Sequence, residues 1–238
     1  MSYLFDIPVM PSRISRFRDN PVIARSAPFL LFIGLLMLGS YLSPVGSPNA
    51  SAPWLVTGRG AVVTLALVWF WPSYSELRKP SRIHPAQWLL AMLAGFLVFV
   101  IWIYFDQDWA VLSRLPGFKS ILPDGDTDWL LGLARLGGLA LVVPVMEELF
   151  WRSLVLRWIE RHDFLAVAPE QIGIGAFLIT TALFASEHDR WFAGALAGMV
   201  YNWLYMRSGN LWVPILAHVV TNAALGIWIL HTQNWQFW

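Results

Sequence analysis

The run WLLGLARLGGLALVVPVMEELFWRSLVLRWI, Trp129 to Ile159, decides how this chain must be read. It is apolar over more than the ~20 residues a helix needs to cross a bilayer core. Yet it carries Arg135, two adjacent glutamates, Glu147 and Glu148, and Arg152. Ionisable groups in hydrocarbon cost several kcal/mol unless they are paired or face a cavity, so such a helix needs neighbours that enclose its polar face. The run therefore predicts an all-α, polytopic membrane bundle with a polar interior.

The rest of the chain agrees with that class. Of its 238 residues, 57% are hydrophobic and 13% charged, about half the charge of a soluble domain. Six further apolar runs can span: Ala27 to Leu42, Leu55 to Trp71, Ala86 to Phe105, Ile172 to Ser186, Phe192 to Met206 and Leu211 to Leu230. Seven helices follow, with an eighth allowed because WAVLSRLPGF, inside Asp106 to Asp128, could lie along the surface. One membrane domain is expected: a cytoplasmic arm over 1–26, amino-terminal helices over 27–125 and a core over 130–230. Tryptophans at run ends, Trp71, Trp88, Trp129 and Trp212 among them, suit the interfacial belt.

Charge sets the expected orientation. Arg13, Arg16, Arg18 and Arg25 precede the first run; ELRKPSRIH (Glu76 to His84) and RWIERH (Arg157 to His162) are basic, whereas Asp106 to Asp128 is acidic on balance. This alternation puts the amino terminus in the cytoplasm and the protein, multi-pass, in the inner cell membrane. The ASA at Ala50 to Ala52 has the form of a leader cleavage site, but Pro53 follows it, so a retained anchor is expected. Arg135 and Arg157 are expected to snorkel to the outer and inner interfaces. A net charge of +1 and the lack of a basic cluster argue against nucleic acid, and the absence of cysteine excludes thiolate chemistry.

Helical spacing sorts the buried polar groups. Glu148 and Arg152, four apart, suit an ion pair. Glu147 points about 100° away and stays available for chemistry. His218 and Asn222 are also four apart, and two donors aimed at one point are what an oxyanion needs. His188 closes the fifth run among Glu187, Asp189 and Arg190, and Asn202 lies in the sixth. A structural ion network and interhelical hydrogen bonding are the bland alternatives for these groups. The pairs Gly137 with Gly138 and Gly194 with Gly198 are read as sites of close helix approach.

Glu-Glu-x-x-x-Arg at Glu147 to Arg152, Phe-x-x-x-His at Phe184 to His188, and His-x-x-x-Asn at His218 to Asn222 occur in order, with the connector YMRSGNLWVPILAH at Tyr205 to His218. Together they resemble the CAAX-protease and bacteriocin-processing (Abi) family of intramembrane glutamate proteases, over roughly Leu130 to Leu230. The resemblance implies a conical cavity facing the cytoplasm and an endopeptidase that cuts near the carboxyl terminus of a prenylated or membrane-associated protein or peptide. By the same resemblance Glu147 is the general base on water, assisted by His188; His218 and Asn222 stabilise the oxyanion; Glu148 and Arg152 support them. No cofactor is implied. Zinc held by the glutamates and histidines is the chemical rival, although no HExxH occurs, and a non-enzymatic immunity or scaffold protein is the rival class. The expected partners are membrane lipid and a peptide or lipidated protein substrate.

Overall fold

The computed structural model describes residues 13–42, 53–78, 82–114, 117, 119–122 and 124–238. Among them the protein is helical, with one isolated antiparallel bridge between Ile121 and Thr127. The helices are α1 (Arg13–Arg18), α2 (Pro21–Leu42), α3 (Pro53–Phe70), α4 (Ser75–Arg78), α5 (Pro85–Tyr104), α6 (Trp129–Glu160), α7 (Ile174–Ser186), α8 (Trp191–Ser208) and α9 (Trp212–Thr232). Proline opens α2, α3 and α5, where its missing N–H would be unpaired in any case. Asp128 caps α6 by accepting from the Leu131 amide at 3.0 Å, and Gly209 ends α8 in the left-handed region.

Four stretches are long and apolar enough to cross a membrane: Pro21–Gly39, Pro85–Tyr104, Trp129–Glu160 and Trp212–Thr232. Ile174–Ser186 is apolar but shorter, about 20 Å at ~1.5 Å per residue, so it reaches only part of the way through a core of ~30 Å. WAVLSRLPGF forms no surface helix in its described residues; a single 3-10 turn, Asp108–Ala110, begins it. The ASA site lies outside the described residues.

Close backbone approach builds the bundle. A Cβ on Gly95 of α5 would run into the Ala217 carbonyl of α9. Gly194 and Gly198 meet Ala185, His188, Phe184 and Thr181, which brings α8 against α7. Gly137 has open space at its Cβ position, whereas a Cβ on Gly60 of α3 would lie 3.7 Å from the Gly138 Cα, so α3 comes close to α6 at Gly138. These two glycines also adjoin a wide π turn, Gly138–Val142, just before Pro144. In that register the Val143 amide bonds the Gly138 carbonyl, and the next donor in line would be residue 144, which as proline has none. A second π segment, Leu149–Val155, follows directly on the glutamates.

Contacts define two ends. At one, Arg25 donates to Glu76 at 2.6 Å and to Ser153 at 2.8 Å, Ser73 bonds the Arg18 carbonyl, and the Trp212 indole bonds the Leu77 carbonyl. At the other, Arg190 pairs with Asp106 at 2.8 Å and bonds the Gln236 carbonyl, while the Leu112 amide bonds the Asp189 carbonyl. Two arginines depart from the expected positions. Arg25 is fully buried rather than part of a solvated arm, and Arg157, also buried, donates to the carbonyls of Val167 and Leu165 instead of snorkelling.

Candidate active site

The polar residues of α6 to α9 gather around one cavity of about 360 Å³ lined by Glu147, His188, His218 and Asn222, with Glu187 at its edge. At its base lies a buried network. Glu148, with no exposed surface, accepts from Arg152 at 3.0 Å and from Nδ1 of His218 at 2.9 Å. Arg152 in turn donates to the Asn202 amide oxygen at 3.1 Å, and Asn202 donates to Thr181 and to the Phe177 carbonyl. The guanidinium lies over Phe184 and Tyr201, at 4.4 and 5.2 Å from their ring centres. A buried charge survives only when it is paired and its remaining hydrogen bonds are met, and this network meets most of them.

The network orients His218. Its Nδ1 is committed to Glu148 and its ring stacks on Tyr201, whose hydroxyl donates to Thr221. Nε2 is thereby directed toward Glu147, 4.0 Å from Oε2. In the neutral tautomer Nδ1 holds the hydrogen, so Nε2 donates only from the imidazolium.

Glu147 is 8% exposed, and among the described residues no group donates a hydrogen bond to its Oε2. It sits at the end of the α-turn between the two π segments, where the helix widens. His188 arrives from the tip of α7. Its Nδ1 is 2.8 Å from the Phe184 carbonyl, and because a carbonyl can only accept, Nδ1 carries the hydrogen and Nε2 keeps its lone pair. Trp102 and Phe184 hold the ring edge-on and tilted. The helix α7 is short, so it stops beside Glu147 instead of carrying the imidazole past it.

The Asn222 amide nitrogen donates to the Leu139 carbonyl at 2.9 Å, the acceptor that Pro144 leaves without a helical donor. One amide hydrogen therefore completes α6, and the second is available to the cavity. Arg135 lines the cavity, its guanidinium 5.2 Å from the Trp238 ring centre.

One participant was missed by spacing. Glu187 accepts from the Trp151 indole at 2.9 Å, and ligand atoms of Glu147, Glu187 and His188 lie within 4.8 Å of one another. Its position next to His188 in a charged tip was visible, but only folding brings that tip against α6.

The cavity has a direction. Below Glu147 it is closed by Glu148, Arg152 and Ser153, all without exposed surface. In the other direction it reaches Asp189, Arg190, Gln236 and Trp238, at the end away from the amino-terminal arm.

Residues 129–224 match the family model described as Type II CAAX prenyl endopeptidase Rce1-like, which covers less than half of the chain and includes all six motif residues. The match agrees with the CAAX-protease resemblance carried by the motifs. No curated protein and no solved structure gives a match.

Proposed function

We propose that this chain, with its CAAX-protease region at 129–224, is a multi-pass membrane endopeptidase that hydrolyses a peptide bond by glutamate-activated water. The observation that carries the reading is Glu147: a buried carboxylate facing a cavity between two imidazoles whose Nδ1 atoms are both committed elsewhere. The Glu147 carboxylate takes a proton from water as the oxygen attacks the substrate carbonyl. Negative charge develops on the carbonyl oxygen, where the His218 imidazolium and the free amide hydrogen of Asn222 can donate. Collapse of the tetrahedral species breaks the C–N bond, and the proton held by Glu147 passes to the leaving amine. Nε2 of His188 accepts a hydrogen bond from the water and orients it. Glu148 and Arg152 hold His218 and touch no reacting atom. Seven spans, with α3, α7 and α8 joining the four long stretches, belong to the same proposal. The substrate is a prenylated or otherwise membrane-associated protein or peptide.

A second reading rests on the Glu147, Glu187 and His188 cluster, whose two oxygens and one nitrogen form a donor set suited to a zinc-like cation with an open position for water. When bound there, a divalent ion would lower the pKa of its water. One experiment separates the two. Purified protein is assayed on a lipidated carboxyl-terminal peptide with and without chelator, beside Glu147→Gln and Glu187→Gln. The glutamate mechanism expects Glu147→Gln to lose at least ~100-fold in rate, the ordinary scale of a general base, while chelator and Glu187→Gln have little effect. Full activity of Glu147→Gln sinks it. Loss with chelator, restored by zinc, together with loss in Glu187→Gln, selects the metal.

A further inference from the structure

Two independent asymmetries meet along the bundle axis. The first is the cavity, closed beneath Glu147 by Arg152, Glu148 and Ser153 and reaching Arg190, Gln236 and Trp238 at the opposite end. The second is charge. Among the described residues, those of 13–25, 76–84, 157–163 and 207 around the closed end carry nine Lys and Arg, and those of 105–128, 187–190 and 233–238 around the open end carry three, Arg114, Lys119 and Arg190. These groups belong to their ends by contact as well as by sequence. Arg25 joins α2 to Glu76 and Ser153, and Arg157 ties the foot of α6 to Val167, whereas Arg190 joins Asp106 to the Gln236 backbone. Lys and Arg near span ends stay on the cytoplasmic side, and a nine-to-three bias is a strong orienting signal.

We infer that the catalytic cavity opens to the non-cytoplasmic face, so its substrates are polypeptides whose cleaved segment lies at or beyond that face, not lipidated tails presented in the cytoplasm. The geometry has two further elements that fit. Along α9 the cavity wall runs from His218 through Asn222 and Leu225 to Ile229, away from the basic-end start of that helix, and meets the tail at Gln236 and Trp238. The segment Trp109–Ser113 and the tail Gln236–Trp238 bond to the α7–α8 tip through Trp191, Asp189 and Arg190, on the same side. The inference rests on the proteolytic reading for what enters the cavity, and on charge and geometry alone for the side from which it enters.

The chain has no cysteine, so single cysteines can report the orientation without background. Three variants are made: Asp124→Cys at the open end, His162→Cys at the basic end, both exposed, and Leu225→Cys on the cavity wall. Each is expressed in bacteria, and intact spheroplasts are treated with a membrane-impermeant maleimide or, for Leu225→Cys, a small impermeant thiosulfonate; lysed samples show that each cysteine is reactive. The expected result is full labelling of Asp124→Cys and labelling of Leu225→Cys from outside, with His162→Cys protected until lysis. Labelling of His162→Cys in intact spheroplasts, or protection of Leu225→Cys while it reacts after lysis, overturns the inference. The labelling reads orientation whether or not the protein cleaves any peptide, so its failure is distinct from failure of the protease assay.

Discussion

At the residue scale, Glu147 and Glu148 are neighbours in sequence with opposite duties because one helical step of about 100° separates a cavity from a packed core. Glu148 is fully buried between Arg152 and His218, so it functions as the counter-ion of both. Removing Arg152 would leave that carboxylate with too little compensation. Arg152→Ala is expected to destabilise the detergent-solubilised protein by about 3–5 kcal/mol, the scale for breaking a buried pair from one side. Adding Glu148→Gln to the same variant should recover part of the loss. Unfolding curves for the two proteins read the difference, and equal stability of Arg152→Ala and the parent would show the pair to be idle. The spacing of Glu148, Arg152, His218 and Asn222 was legible in the sequence. The link from Glu148 to His218 was not, because it joins α6 to α9 across 70 residues.

At the element scale, α6 is the frame of the site, and its irregularity has an identifiable cause. Pro144 removes a donor, the preceding turn widens, and Asn222 of α9 supplies a hydrogen bond to the Leu139 carbonyl. The helix carrying Glu147 is thereby tied to the helix carrying His218. If that tie replaces the missing amide, the two substitutions must be coupled. Asn222→Ala alone should cost about 1–2 kcal/mol by leaving a buried carbonyl unpaired, and measurably less in a Pro144→Ala background, where an N–H returns to position 144. A double-mutant cycle by denaturant unfolding measures the coupling; strict additivity would refute it. The apolar runs of the sequence matched these helices within a few residues at most ends, since hydropathy is a local property. The π turns were invisible to it, and so was which of Gly137 and Gly138 meets a neighbouring helix, because their neighbours are set by rotation of α6 within the bundle.

At the scale of the whole molecule, the closed end is fastened by Arg25, Glu76 and Ser153, which join α2, α4 and α6. Burial by itself would raise the pKa of Glu76, but the charge of Arg25 and hydrogen bonds from Arg25 and Ser153 outweigh it and hold the carboxyl below its ordinary range. A depressed folded-state pKa means stability that is present above the unfolded value and is lost as pH falls through the folded one. Thermal unfolding in detergent should therefore show an acid limb beginning near pH ~4.5 and deepening downward, and Glu76→Gln should flatten it while lowering stability at pH 7. An unchanged acid limb in that variant would assign the effect to other carboxylates.

The sequence by itself determined the membrane class, the positions of the helices and the identities of the six motif residues, because hydropathy and helical spacing depend only on order along the chain. Tertiary structure alone decided three other matters. It brought Glu187 and His188 to Glu147, because α7 is too short to carry them past it. It committed half of the Asn222 amide to α6, because Pro144 leaves a carbonyl that only another helix can reach. It also decided toward which end the cavity opens, since that depends on which helix ends close around the buried Glu148–Arg152 pair and which leave a gap, and no one-dimensional pattern records it.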